Sequence, residues 1–120
     1  MKIEAYKPVD FYTRKDFVGF LNSLYKSNAN FDFFLKEYER AYNFCCTSQH
    51  VKFFPLAFCN GHEMVAHVAL ILDDRLEENE AFFGFFEVID DVTVFEVVWQ
   101  ELIELAKIRK VNVLKGPVNG

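Results

Sequence analysis

The chain has 120 residues, 52% of them hydrophobic and 26% charged, the size and balance of one globular domain with a packed core rather than a disordered tract. Fifteen phenylalanines bring the aromatic share to 18%, so that core is expected to be built from large flat rings. A net charge of −5 argues against nucleic acid or an anionic membrane as partner, and the basic cluster Lys107, Arg109 and Lys110 falls where a helix C-terminus favours cations.

Lys2–Tyr6 alternates loosely and ends before Pro8, which predicts a first strand. Thr13 then stands as an N-cap with Asp16 in the first turn. Phe17, Phe20, Leu21, Leu24 and Tyr25 recur at helical spacing, and Asn28–Asn30 ends that helix. A second helix is expected through Phe33–Asn43, with Phe34, Tyr38, Ala41 and Tyr42 on its apolar side. From Val51 the period changes. Val51–Cys59 and Glu63–Leu72 read as two strands joined at Asn60-Gly61-His62, where Asn-Gly tolerates the positive φ of a tight hairpin. Asp73–Glu80 is a polar loop or a short helical turn around Leu76, and Ala81–Val88 is a third, aromatic strand in which Gly84 marks a bulge or a close backbone approach. Asp90 and Asp91 are expected to cap a long helix whose stripe is Phe95, Val98, Leu102, Leu105 and Ala106, closed by Lys107–Lys110. Val111–Leu114 is read as a last short strand, parallel to the third because a helix carries the chain across.

The order is β-α-α-β-β-β-α-β: an α/β fold, α+β by stricter usage, with a mixed, mostly antiparallel sheet. No linker, repeat or low-complexity tract divides residues 1–120, which read as one domain. The longest apolar runs, Phe53–Cys59 and Met64–Leu72, contain Pro55 or His67 and are far shorter than the ~18–20 residues of a membrane span. No secretory pattern opens the chain, and three cysteines with two adjacent do not form a disulfide framework, so the cytoplasm is the expected compartment.

Cys45, Cys46, His50, Cys59 and His62 raise a zinc site. An extended Val51–Cys59 holds His50 and Cys59 about 30 Å apart, against ligand distances of ~2.0–2.3 Å. Cys59 and His62 alone are too few, so no metal is expected. The cysteines lack a histidine at a fixed local spacing and read as small buried hydrophobes. Glu87 has two readings: a carboxylate buried among phenylalanines, with a pKa raised into the range of a general base, or a solvent-facing residue between Phe86 and Val88. His67, in an apolar strand, is either a proton carrier or a hydrogen-bonded strand histidine.

Phe82-Phe-Gly-Phe-Phe-Glu-Val-Ile-Asp-Asp91, then a helix, then Leu114-Lys-Gly-Pro-Val-Asn119, together with Val65-Ala-His-Val-Ala69 and Asp73-Asp-Arg75, resembles a group of bacterial GNAT-like proteins. The element order is similar to the first two-thirds of the GNAT-type N-acyltransferase fold. The resemblance implies acetyl-CoA or another acyl-CoA as cofactor, an amine acceptor, and Glu87 in the place of the carboxylate that deprotonates it. It puts the coenzyme loop at Val88, Ile89, Asp90, Asp91, Val92 and Thr93. This loop lacks the family's Arg/Gln-x-x-Gly-x-Gly/Ala pattern and carries two carboxylates where a pyrophosphate is expected, so coenzyme binding is expected to be weak or absent. The family's later helix and strands find no counterpart before Gly120. The chain is therefore expected to be the N-terminal portion of such a fold, inactive by itself, and to self-associate through the edge of its C-terminal strand. The alternative implied by the loop is a non-catalytic module that binds a ligand or a protein.

Overall fold

A computed structural model describes residues 14–25, 30–61, 63–77 and 79–118. The expected first strand at Lys2–Tyr6, the Thr13 cap and His62 lie outside the described residues. Chain order is α1 (Arg14–Tyr25), α2 (Phe31–Thr47), β1 (Val51–Asn60), β2 (Glu63–Asp73), β3 (Glu80–Val88), α3 (Val92–Ile108) and β4 (Val113–Val118). The four strands form one mixed sheet in the order β1-β2-β3-β4. The first three pair antiparallel, and β4 runs parallel to β3 after the α3 crossover.

Two apolar layers sandwich β2, whose residues Met64–Ile71 are all buried. On one face α3 lays Val94, Val98, Leu102 and Ala106 against Phe58, Val65, Val68 and Leu70. On the other face, Phe17, Phe20 and Leu21 of α1 and Tyr38 and Cys45 of α2 cover Ala57, Ala69, Ile71 and Phe85. Each fully buried Leu or Val in these layers contributes ~1.5–3 kcal/mol relative to exposure.

Several expectations need correction. The second helix runs to Thr47 rather than Asn43, and carries the Cys45–Cys46 pair with it. Cys45 is buried, but Cys46 is exposed and Cys59 is half-buried, so the cysteines are not a set of core residues. The buried stripe of α3 begins at Val94, not Phe95, which is 47% exposed; Leu105 is half-buried. Asp91 alone caps α3, while Asp90 is exposed. The last strand is Val113–Val118, not Val111–Leu114. The shift has a local cause. Lys110 takes φ 61°, the Val111 amide returns to the Ala106 carbonyl as part of the helix end, and pairing to β3 starts only at Val113.

Gly84 does mark an irregularity. Ala69 lies opposite Gly84 and His67 opposite Glu87, so β3 holds one residue more than β2 across this stretch. Phe85, at φ 52°, absorbs the extra residue. The consequence is a change of face. In an even alternation Phe83, Phe85 and Glu87 would point the same way. Here Phe83 packs into the α3 layer, whereas Phe85 joins the α1/α2 layer, and Glu87 follows it to the side on which α1 supplies Tyr25. The close approach expected of glycine occurs at Gly116 instead: a Cβ there would stand 2.4 Å from the Phe83 carbonyl oxygen.

Candidate functional site

The bulge sets the site. It turns Glu87 under the α1–α2 pair, where the residue is only 8% exposed. Tyr25, the last residue of α1, donates its hydroxyl hydrogen to Glu87 Oε2. Burial pushes the Glu87 carboxyl above the ordinary range, and the Tyr25 hydroxyl, then the Tyr38 hydroxyl, pull it partly back. Burial also raises both phenols well above the usual tyrosine range, with the Glu87 carboxylate adding to the effect. Tyr25 is thereby a donor throughout the physiological pH range. The Tyr38 hydroxyl lies beside the same carboxylate, yet it is buried and makes no hydrogen bond of proper geometry.

His67 sits opposite Glu87 across the β2–β3 ladder and is fully buried. Its Nδ1–H donates to the Phe85 carbonyl at 2.9 Å, which assigns the Nδ1-protonated tautomer because a carbonyl can only accept. The ring stacks on Phe17, with centroids 4.1 Å apart and planes 25° apart. Burial holds its pKa down at about 4, so it is neutral near pH 7. Of the two sequence-based readings of His67, the structure presents the hydrogen-bonded strand histidine.

An open cleft of about 540 Å³ lies at the junction of β3 and α3, lined by Leu24, Tyr25, Val88, Ile89, Asp90, Asp91, Val92 and Phe95. Five of the six residues placed in the coenzyme loop from sequence therefore line a single cleft. Thr93 does not, and its amide is spoken for: Asp91 Oδ1 accepts from the Thr93 amide at 2.9 Å and from the Val94 amide at 3.2 Å. A helix N-terminus attracts anions through its unmet N–H groups and positive dipole end. Here a side-chain carboxylate already takes two of those donors and neutralises that end, and Asp90 adds a second charge to the rim. The cleft suits a cation better than a phosphate.

Tyr25 joins the two parts. It lines the cleft and at the same time bonds Glu87, so it links the cleft to the buried carboxylate. The pairing of Tyr25 and Tyr38 with Glu87 was not legible in the sequence: they stand 62 and 49 positions away on helices, as apolar-stripe members. The only available sign was that three members of those stripes, Tyr25, Tyr38 and Tyr42, carry hydroxyls.

Elsewhere, at the far end of the sheet, His50 Nδ1 meets Asp74 Oδ1 at 3.0 Å, and Asp73 forms a paired contact with Arg75 at 2.8 and 2.6 Å that holds the Asp73 carboxyl down near 2. The His50–Asp74 contact ties the β2–β3 turn to the residue just before β1, and the Asp73–Arg75 pair closes the turn on itself. Among the described residues no three of His, Cys, Asp and Glu are grouped to hold a metal ion, and no helix is long and apolar enough to cross a membrane. Compared with family models, with curated proteins and with solved structures, the chain matches none.

Proposed function

We propose that the β3–α3 cleft binds a small amine-bearing molecule, in a non-catalytic domain built on an acyltransferase-like frame. The observation that carries this reading is the Glu87 carboxylate, buried and bonded to Tyr25, a residue that itself lines the cleft. A buried carboxylate is costly unless paired, and an ammonium group is the partner that removes the cost most fully. Such a ligand would draw the Glu87 pKa back down, place its apolar part on Leu24, Ile89, Val92 and Phe95, and be attracted by Asp90 and Asp91 at the rim. The Asp91 cap argues against acyl-CoA as the occupant, since a pyrophosphate would compete with a carboxylate already seated on the same amides.

Calorimetric titration tests the reading. Hexylamine should bind saturably, and Glu87→Gln should weaken it about tenfold or more, whereas acetyl-CoA should give no saturable heat at micromolar concentration. A micromolar dissociation constant for acetyl-CoA would sink the non-catalytic reading. It would favour the second one, an N-acyltransferase fragment in which Glu87, its pKa raised by burial, serves as general base toward the amine.

Self-association through β4 belongs to the same frame. This strand is an outer strand of the sheet, Val113 is 40% exposed, and Lys115 reaches back to Glu80 at 3.0 Å rather than guarding the edge. Light scattering should find a dimer at tens of micromolar that Val113→Lys disperses. A dimer left intact by that change would place association on another surface.

A further inference from the structure

The β3–α3 cleft is larger than a short alkylamine needs. Its volume of about 540 Å³ falls within the roughly 300–1,000 Å³ typical of sites that take drug-sized molecules. Its apolar wall is also more exposed than the fold requires. Val92 is 71% exposed and Phe95 47%, and neither belongs to the buried stripe Val94, Val98, Leu102 and Ala106 that holds α3 to the sheet. Past Phe95 the rings continue. Phe95 lies against Phe86 with centroids 5.5 Å apart, and Phe86 against Trp99 at 6.3 Å. Positions 92, 95 and 99 are spaced three and four apart along one side of α3, and Phe86 and Trp99 are both half-buried. Single exposed apolar residues are ordinary, but a row of them that begins in a cleft is the kind of contiguous surface that marks a ligand site. Charge selects the occupant. The row begins beside Asp90, an exposed carboxylate, and among the described residues that line the cleft none is basic.

We propose that the ligand is a long-chain amine, taken up as a free molecule, whose ammonium group sits at the Asp90 end of the cleft. Its apolar tail leaves the cleft over Phe95 and lies along Phe86 and Trp99. This names the substrate class of the amine reading above and rests on it. An acidic rim joined to an aromatic wall complements a cationic amphiphile, and it repels a fatty acid of the same length. The carboxylates thus choose the head group, while the row of rings chooses the length of the tail.

Trp99 is the chain's one tryptophan, so its fluorescence reports the far end of the row in the unaltered protein. Decylamine should shift that emission to shorter wavelength saturably, whereas hexylamine, too short to reach the ring, should bind without shifting it. By calorimetry decylamine should bind about tenfold more tightly than hexylamine. Four wholly buried methylenes would give roughly two-hundredfold, but this wall shields the tail on one side only. Trp99→Ala should remove most of the advantage and leave hexylamine unaffected; the fluorescence measurement stands even if that variant does not fold. Decanoate should not bind. Hexylamine binding with no gain for decylamine, or with decylamine bound and Trp99 emission unmoved, would overturn the tail path and leave the amine reading in place. Decanoate binding as tightly as decylamine would overturn it too, as unselective uptake of apolar chains. So would sedimentation with phosphatidylcholine vesicles carrying octadecylamine in the absence of saturable binding to free decylamine. If neither amine binds, the amine reading fails and this proposal with it.

Discussion

Between pH 6.5 and pH 4 the protein should lose about 3 kcal/mol of stability through His67 alone, and His67→Phe should abolish that loss. The direction follows from proton counting. The imidazole is held neutral in the folded state, with its pKa lowered from 6.5 to about 4, because burial penalises the charged ring more than the bond to the Phe85 carbonyl favours it. The unfolded chain takes up a proton as pH falls below 6.5 and the folded chain does not until about 4, so the unfolded state gains over that window. At ~1.4 kcal/mol per pKa unit the difference is ~3 kcal/mol. Among the described residues, Phe17 faces it from α1, Tyr42 from α2, and Glu87 across the ladder. Glu87 works the other way. Its folded pKa is raised, so it contributes stability at low pH that is lost as pH climbs through its folded value. The test is therefore a difference. Denaturant unfolding at pH 7, 5.5 and 4.5 should show wild type falling relative to His67→Phe, whose ring can keep the stack on Phe17 without titrating. Parallel pH profiles for the two proteins would mean that His67 is charged or solvated in the folded state.

The course of the chain from Phe17 onward was legible because its signals are local. Helical spacing marked α1, the Asn60-Gly61 pair marked the β1–β2 hairpin, where Gly61 takes φ 65°, and the interval holding α3 required β4 to be parallel to β3. Element ends were less legible, because they depend on where a particular amide finds a carbonyl. The Val111 amide returning to Ala106 delayed β4 by two residues, and nothing in Val111-Asn-Val-Leu114 announces that. The stripe of α3 slipped by one position for a related reason. Phe95 is the more hydrophobic candidate, but Val94 faces β2, and Phe95 rests instead against Phe86, with centroids 5.5 Å apart. For the site, Glu87 stood out as a lone carboxylate among aromatics. Which way it pointed did not, since simple alternation puts it with Phe83 and Phe85, and only the extra residue beside Gly84 reassigns it. Position 87 was visible; its side was a tertiary fact.

Phe85 should be the most sensitive single position near the site, with Phe85→Ala costing about 3–5 kcal/mol, as for a wholly buried aromatic removed from a core. The ring makes edge contacts with Tyr38 at 5.1 Å, Tyr42 at 5.2 Å and Phe53 at 5.7 Å, and each would lose its partner. Comparison with Phe85→Gly is more telling. In a regular strand glycine is worse than alanine by roughly 0.5–1 kcal/mol, because it surrenders more backbone entropy on folding. Phe85, however, adopts φ 52°, in the left-handed region where any Cβ is crowded by the backbone at a cost of about 1–2 kcal/mol. Alanine keeps that crowding and glycine removes it. Phe85→Gly should therefore be the more stable of the two by about 1 kcal/mol, although it removes one carbon more. Both variants lose the same ring and the same aromatic contacts, so cavity formation largely cancels and the difference reports the backbone. Chemical denaturation of the pair reads it directly. If alanine proves the more stable, Phe85 is in ordinary extended geometry, the extra residue of β3 lies elsewhere, and the device that turns Glu87 toward Tyr25 is not the one described.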